Sequence, residues 1–289
     1  MLTTDIEKQP ASPPPPDPIP IRHGVSGGLG LHRAGAGAPL VLLHGGAGSW
    51  THWHRAIAPL AAAFEVFAFD LPGMGLSDDL PNDGDLERFL DRLGAGFDAA
   101  LGPRTPFRLA AFSVGAVPAA AYAARNAGRV RRMALLAPGG FDADEVQPLD
   151  MRGPAPGMSE AEIDAVHRHN LCAAMFADPA RVDAETVRLQ RYNVEGARYD
   201  SRKLGFGNHI KMFLPDVQCP LMMLWGTEDA FANPTVEPRI ARLHALAPHA
   251  EIHRIEGAGH WVQQECPDAV NPILLDFLRG RAAGPSDQR

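Results

Sequence analysis

"LAAFSVGAVPAAA", residues 109–121, is an apolar run that meets a serine and continues into an alanine-rich run. Read as strand, tight turn and helix, it makes the chain an α/β protein and lifts Ser113 out of the turn. Read as a helix with a serine cap, it carries no chemistry. A strained strand-to-helix turn accepts only very small side chains two residues before and after the serine. Ala111 and Gly115 meet that demand. Glycine is usual at both places, and alanine is the smallest departure from it. Pro118 removes one hydrogen bond from the helix that follows. What the rest of the chain supplies around Ser113 decides between the readings.

Working outward, short apolar runs alternate with helical stretches, the pattern of a parallel sheet covered on both faces. "PLVLLH" (39–44), "FEVFAFD" (64–70), "FRLAAF" (107–112) and "VRRMALLAP" (130–138) read as strands. Helices are expected over 51–63, over 83–101 and from the serine turn to about Asn126. In the second of these Leu86, Phe89, Leu90, Leu93 and Phe97 recur at helical spacing. Between Gly139 and Pro215 the strand pattern is lost, and helices and loops rich in Arg, Asp, His and Met replace it. "CPLMMLWG" (219–226) resumes the sheet, a helix spans about 234–247, "AEIHRIEG" (250–257) is the last strand and "PDAVNPILLDFLRG" (267–280) the closing helix. The expected division is a disordered proline-rich tail (1–20), a core in two parts (21–139 and 216–281), a helical cap (140–215) and a flexible C-terminal tail (282–289).

The 289 residues are 45% hydrophobic, enough for a sizeable core, and carry a net charge of −7. Arg129, Arg131 and Arg132 form the one notable basic cluster and lead into an apolar run, so they read as a solvated helix–strand junction. A nucleic-acid partner needs a concentrated basic face, which is absent. No apolar run reaches the ~18 residues of a membrane span. The opening twenty residues lack the apolar core of a signal peptide. Cys172, Cys219 and Cys266 are odd in number and far apart, which favours a reducing, cytoplasmic setting. Cys266, near a histidine-bearing stretch, reads as a small, partly buried hydrophobe.

Ligands of open parallel sheets gather where strands end. The strand exits here carry "HGGAGS" (44–49), "DLPGMGLSD" (70–78), Ser113, "GTEDAF" (226–231) and "GAGHW" (257–261). A hydroxyl, a carboxylate and an imidazole thus leave one edge, in the chain order Ser113, Asp229, His260. Serine needs a base to take its proton as it attacks, and an imidazole suits that task near neutrality. A carboxylate on the far ring nitrogen fixes the tautomer and stabilises the charge that develops. The backbone N–H groups of Gly46 and Val114 are the candidate donors to an oxyanion, and Gly45, Gly46 and Gly48 allow close approach. Asp229 also suits a helix N-terminus, with Glu228, Asp142 and Asp144 as reserve carboxylates, and His260 also suits a surface turn. His44 reads as a brace for the glycine-rich turn, and Asp70, with Pro72, Gly73 and Gly75, as a structural turn. The H-x-H pairs His52/His54 and His167/His169 have no third ligand near in sequence, so no metal is expected.

Together "LLHGGAGSWTHW", "FDLPGMGLSD", "AFSVGA", "LWGTED" and "GAGHWVQQECP", in this order, resemble the successive signature blocks of the α/β-hydrolase superfamily. The resemblance implies a doubly wound, mostly parallel sheet with a helical cap inserted after the sixth strand. It also implies Ser113 as nucleophile, Asp229 as acid and His260 as base. Haloalkane dehalogenases and epoxide hydrolases of this superfamily have aspartate where Ser113 stands, which argues against both activities. "LLAPGG", "GHWVQQE" and "LQRYNVE" are similar to the carbon–carbon bond hydrolases of meta-ring-fission products, which implies substrate contacts for Arg191 and Trp261. That group has asparagine where this chain has Phe112, and its oxyanion loop differs from "HGGAGS".

The expectation is a cofactor-free serine hydrolase acting on an ester-type bond of a small, mainly apolar carbonyl compound. Its substrate contacts are Gly45, Ala47, Phe112, Arg191 and Trp261, and carbon–carbon cleavage is the alternative. The partner is a small molecule, with neither membrane nor nucleic acid, and a homodimer is left open. A dinucleotide-dependent oxidoreductase would use "PLVLLHGGAGSWT" with Asp70, but Thr51 replaces the third glycine and Ser113, Asp229 and His260 stay idle. A hydrolase-fold protein that binds without turnover is the remaining rival.

Overall fold

The computed structural model describes residues 16–141, 149–205, 207–232 and 234–281. Its first strands are ones the apolar pattern does not reveal. β1 (Arg22–Ser26) and β2 (Leu29–Gly35) form an antiparallel hairpin. Gly27 and Gly28 turn it, at φ 58° and 79°. Positive φ at both central residues is what a type I′ two-residue turn demands, so the Gly-Gly pair was the usable signal.

The remaining strands are β3 (Pro39–Leu43), β4 (Glu65–Phe69), β5 (Phe107–Phe112), β6 (Val130–Leu136), β7 (Leu221–Gly226) and β8 (Glu251–Ile255). They stand within one or two residues of the runs read from the sequence. The sheet order is β1-β2-β4-β3-β5-β6-β7-β8, antiparallel across β1, β2 and β4 and parallel from there on. Counting the hairpin, the long helical stretch follows the sixth strand.

Register positions the chemistry. Leu43 is paired with Ala111, and Phe112 with Leu136, so the exits of β3, β5 and β6 lie side by side. Gly226 is paired with Ile255, which brings the loops after β7 and β8 to the same rim.

Helices pack the faces. A 3-10 turn (Trp50–Trp53), capped by the Ser49 hydroxyl, leads into α1 (His54–Ala61). α2 (Leu86–Leu101) is capped by Asp85 and buries Phe89, Leu90, Leu93 and Phe97, each worth about 1.5–3 kcal/mol of transfer free energy. It packs on α3 (Ala116–Arg125). Between β6 and β7 come α4 (Glu160–Asn170), α5 (Ala184–Glu195), α6 (Arg202–Gly205) and α7 (His209–Phe213). α4 starts at a Ser159–Glu162 capping box and ends in a π turn, Leu171–Met175. No strand occurs among the described residues 149–216. α8 (Glu237–Leu246), the short α9 (Val262–Glu265) and α10 (Pro267–Arg279) complete the chain, α10 lying against α1. Most of the proline-rich tail, Asp142, Asp144 and the C-terminal residues from 282 lie outside the described residues.

Candidate active site

Ser113 follows β5 directly and has φ 52°, in the left-handed region that costs a non-glycine residue about 1–3 kcal/mol. It opens a 3-10 turn, Ser113–Gly115, that runs into α3. A side chain at Gly115 would collide with the His44 carbonyl, which explains the glycine two residues on. Strand, turn and helix is therefore the correct reading of 109–121. Pro118 proves harmless. It is the third residue of α3, in the first turn of that helix, where proline is tolerated.

His260 Nε2 lies 2.9 Å from Ser113 Oγ, and His260 Nδ1 lies 2.8 Å from Asp229 Oδ2. An ionised carboxylate only accepts, so Nδ1–H donates to Asp229 and Nε2 is left to accept the Ser113 hydroxyl proton. Asp229 is held in turn by the Phe231 N–H on its other oxygen, at 2.9 Å. Asp229 and His260 are both buried, whereas the adjacent Glu228 is exposed. The structure thus brings Asp229, not its neighbour, to the imidazole.

Gly46, Ala47, Phe112 and Val114 line a cavity of about 300 Å³ together with Ser113 and His260. Val114 is the second residue of its helical turn, so no intrahelical carbonyl reaches its N–H. Ala47 sits at φ 43°, a second strained non-glycine residue at the rim. His44 does brace this turn. Its Nδ1–H donates to the Gly45 carbonyl at 2.7 Å, while its Nε2 accepts the Leu71 N–H at 2.8 Å. Burial lowers the His44 pKa to about 4, so the ring is neutral.

His52, read from the sequence only as half of an H-x-H pair, belongs to the cavity wall. Its Nδ1 accepts the Gly45 N–H at 3.1 Å. Burial, with His44 and His260 nearby, pushes its pKa well below the ordinary 6.5. The neutral ring therefore carries its proton on Nε2. His54 turns away to the Pro16 carbonyl, at 3.1 Å. Among the described residues no three His, Cys, Asp or Glu side chains gather as metal ligands.

Asp70 is walled into its turn. Its carboxylate accepts the Trp50 and Leu76 N–H groups at 2.8 and 2.9 Å and bonds His32 Nε2 at 2.9 Å. Burial alone would raise its pKa, but His32, with His44 and the Leu76 N–H, holds it at about 2. An acid so enclosed cannot reach a ribose.

Three residues expected at the substrate are placed elsewhere. Arg191, on α5, is not among the residues lining the cavity; it pairs with Glu160 (2.6 Å), Glu195 (2.8 Å) and Asp164 (3.3 Å). Three carboxylates around its guanidinium leave that arginine no reason to face a ligand. Trp261 is fully buried behind the wall, its Nε1–H donating to the His52 carbonyl at 2.9 Å and its ring packed on His52. Gly45 likewise supports His52 from behind. The cavity instead takes residues that sequence spacing does not mark: Phe141, Met175, Ser201, Phe231 and Arg239. The Arg239 guanidinium lies 4.6 Å over the Phe141 ring and donates to the Phe231 carbonyl at 2.5 Å.

A family model described as "Alpha/beta hydrolase family" matches residues 40–273. The 2-hydroxy-6-oxo-6-phenylhexa-2,4-dienoate hydrolase of Burkholderia cepacia is 27% identical over 272 residues, covering 86% of this chain and 90% of that one. Among solved structures, a meta-cleavage product hydrolase from Pseudomonas fluorescens superposes with a TM-score of 0.71 at 22% identity, over 90% of this chain and 97% of that one. The naproxen esterase of Bacillus subtilis gives 0.70 at 21%, over 90% and 92%. Among the described residues no helix is long and apolar enough to cross a membrane.

Proposed function

Because the chain belongs to the alpha/beta hydrolase family, we propose that it is a serine hydrolase, independent of any cofactor, that cleaves an ester-type bond in a small, mainly apolar carbonyl compound. The observation that carries this reading is the hydrogen-bonded row Asp229–His260–Ser113, at 2.8 and 2.9 Å, opening onto an apolar cavity. Ser113 Oγ attacks the carbonyl carbon as its proton passes to His260 Nε2. The imidazolium is stabilised by Asp229, and the oxyanion by the N–H groups of Gly46 and Val114. Each such donor is worth about 10²–10³ in rate. The proton then goes to the leaving alkoxide, and a water activated by the same imidazole frees the acyl group. The segment between β6 and β7 acts as the cap that keeps bulk water out, and Met151, Met175, Ser201, Arg202 and Gly205 are among its contributions to the wall.

Carbon–carbon cleavage of a ring-fission dienoate is the second reading, supported by the 27% identical relative. Arg191 paired with three carboxylates outside the cavity lining, and an apolar Phe112 in that lining, weigh toward the ester. The test is a parallel assay of short p-nitrophenyl esters and a 2-hydroxy-6-oxo-dienoate, with mass-spectrometric detection of fluorophosphonate on Ser113. Ester turnover with the higher kcat/KM is expected. Faster dienoate turnover would shift the assignment to carbon–carbon cleavage, and an unlabelled Ser113 would leave a binding protein.

A further inference from the structure

Glu265 ends α9 as a buried carboxylate that the chemistry above does not use. Its two oxygens accept three backbone amides. Oε2 takes the Gly259 N–H at 2.6 Å and the Ala177 N–H at 3.2 Å, and Oε1 takes the Asp178 N–H at 2.8 Å. Gly259 stands immediately before His260. Ala177 and Asp178 lie just beyond the π turn whose last residue, Met175, lines the cavity. The two segments meet again through the Trp261 N–H, which donates to the Met175 carbonyl at 2.8 Å. They are so close that a Cβ at Gly259 would lie 2.7 Å from the Ala177 nitrogen and 2.9 Å from the Met175 oxygen.

We infer that Glu265 is a positioning residue that locks the cap to the imidazole: one carboxylate sets both the approach of His260 to Ser113 and the cavity wall at Met175. Hydrogen bonds from backbone N–H groups to a carboxylate are roughly twice as strong as neutral ones. Only a carboxylate accepts on both oxygens. A glutamine would keep one carbonyl oxygen and turn an NH₂ against an N–H. The cap segment and the histidine loop therefore move as one piece, so opening the cap draws His260 away from Ser113. The inference rests on the reading of Ser113 and His260 as the reacting pair.

Glu265→Gln tests it beside Gln264→Leu, whose parent side chain bonds Thr186 on the cap at 3.3 Å. A displacement of about 1 Å at a reacting group costs about 10²-fold, so Glu265→Gln is expected to slow fluorophosphonate labelling of Ser113 and kcat by 10- to 100-fold. KM should change far less than kcat. Gln264→Leu is expected to label at close to the parental rate whatever its Tm. Parental labelling in Glu265→Gln, or losses in both variants that track Tm, would overturn the coupling. Amide hydrogen exchange on the parent chain decides the matter even if Glu265→Gln fails to fold. Gly259, Ala177 and Asp178 should share one protection factor, and a Gly259 amide that exchanges far faster than the other two would refute the lock. A parent chain that fluorophosphonate never labels would sink the functional reading, while the exchange result still decides the coupling.

Discussion

At the strand exits, polar side chains are buried and met by backbone. Asp70 takes two amides and an imidazole, His44 spans Gly45 and Leu71, and Asp229 holds the Phe231 amide and His260. The helices between β6 and β7 satisfy their charges nearer the surface, as Arg191 does with Glu160, Asp164 and Glu195. The two regions differ because they do different work. A rim that holds Ser113 at φ 52° is kept by low-dielectric bonds that water cannot replace, whereas the helices between β6 and β7 pair their charges where water reaches them. Mutations of equal chemical size should accordingly have very unequal effects on the two sides of the cavity.

The sharpest contrast comes from Asp229→Asn. The amide offers Nδ1 an NH₂ as readily as an oxygen, so His260 loses its fixed tautomer. A fall in kcat of about 10⁴-fold is expected with little change in KM. Steady-state kinetics on an ester substrate checks it, and a loss below tenfold would show that the carboxylate does not orient the ring.

Proton linkage should mark the rim next. His44 has a folded pKa of about 4 against an ordinary 6.5, so the unfolded chain binds the extra proton between those values. Stability must therefore fall as pH drops from 6.5 to 4, by about 3 kcal/mol from this one ring. His52, lowered for the same reason of burial, adds to the slope. Asp70 is depressed from 3.8 to about 2, so its contribution, about 2 kcal/mol, is present above pH 3.8 and lost as pH falls through 2. Urea unfolding at a series of pH values checks this. A flat stability between pH 6.5 and 4 would mean that the two histidines are not buried neutral.

The same contrast governs what the sequence disclosed. Continuous apolar runs such as "PLVLLH" marked the central strands, because strands covered on both faces have no polar side to show. Ser113 and Asp229 were legible because each follows such a run at its exit, and His260 because it follows the mixed edge strand β8. β1 was not, since "RHGVS" is mostly exposed, and only the Gly27–Gly28 turn betrayed the hairpin. The cavity wall was the least legible. Met175 arrives on a π turn, Phe231 on a loop and Arg239 from α8, and they meet only after the sheet has brought those segments together. Arg191 and Trp261 were assigned by resemblance, and the local packing of this chain moved both off the cavity surface.

Gly115→Ala probes the rim with a single methyl group. The added carbon would collide with the His44 carbonyl, which is strand-exit backbone and cannot swing away. Overpacking of this kind costs about 1–3 kcal/mol. Because the shift is transmitted to Ser113 and Val114, activity should fall by more than the lost stability explains. A Tm and a kcat both equal to the parent's would mean the turn has slack that its φ angles do not suggest.

Arg191→Ala should have the smallest effect, although it removes a side chain that touches three carboxylates. The arginine itself is only 15% exposed, but Glu160 and Asp164 stand at 79% and 48%, where water screens them and competes for the same oxygens. Such pairs are typically worth 0–1 kcal/mol, and the freed carboxylates stay hydrated on α4 and α5. Arg191 is raised above its ordinary pKa chiefly by its hydrogen bonds to Glu160 and Glu195, so it stays charged at every accessible pH and adds no pH dependence of its own. The variant is expected to lose less than about 1 kcal/mol in urea, with less of that loss in high salt, and to keep its ester kcat/KM within about twofold. A tenfold rise in KM for an anionic substrate, with stability unchanged, would put this arginine back at the ligand and erase the distinction between a structured rim and a surface-balanced cap.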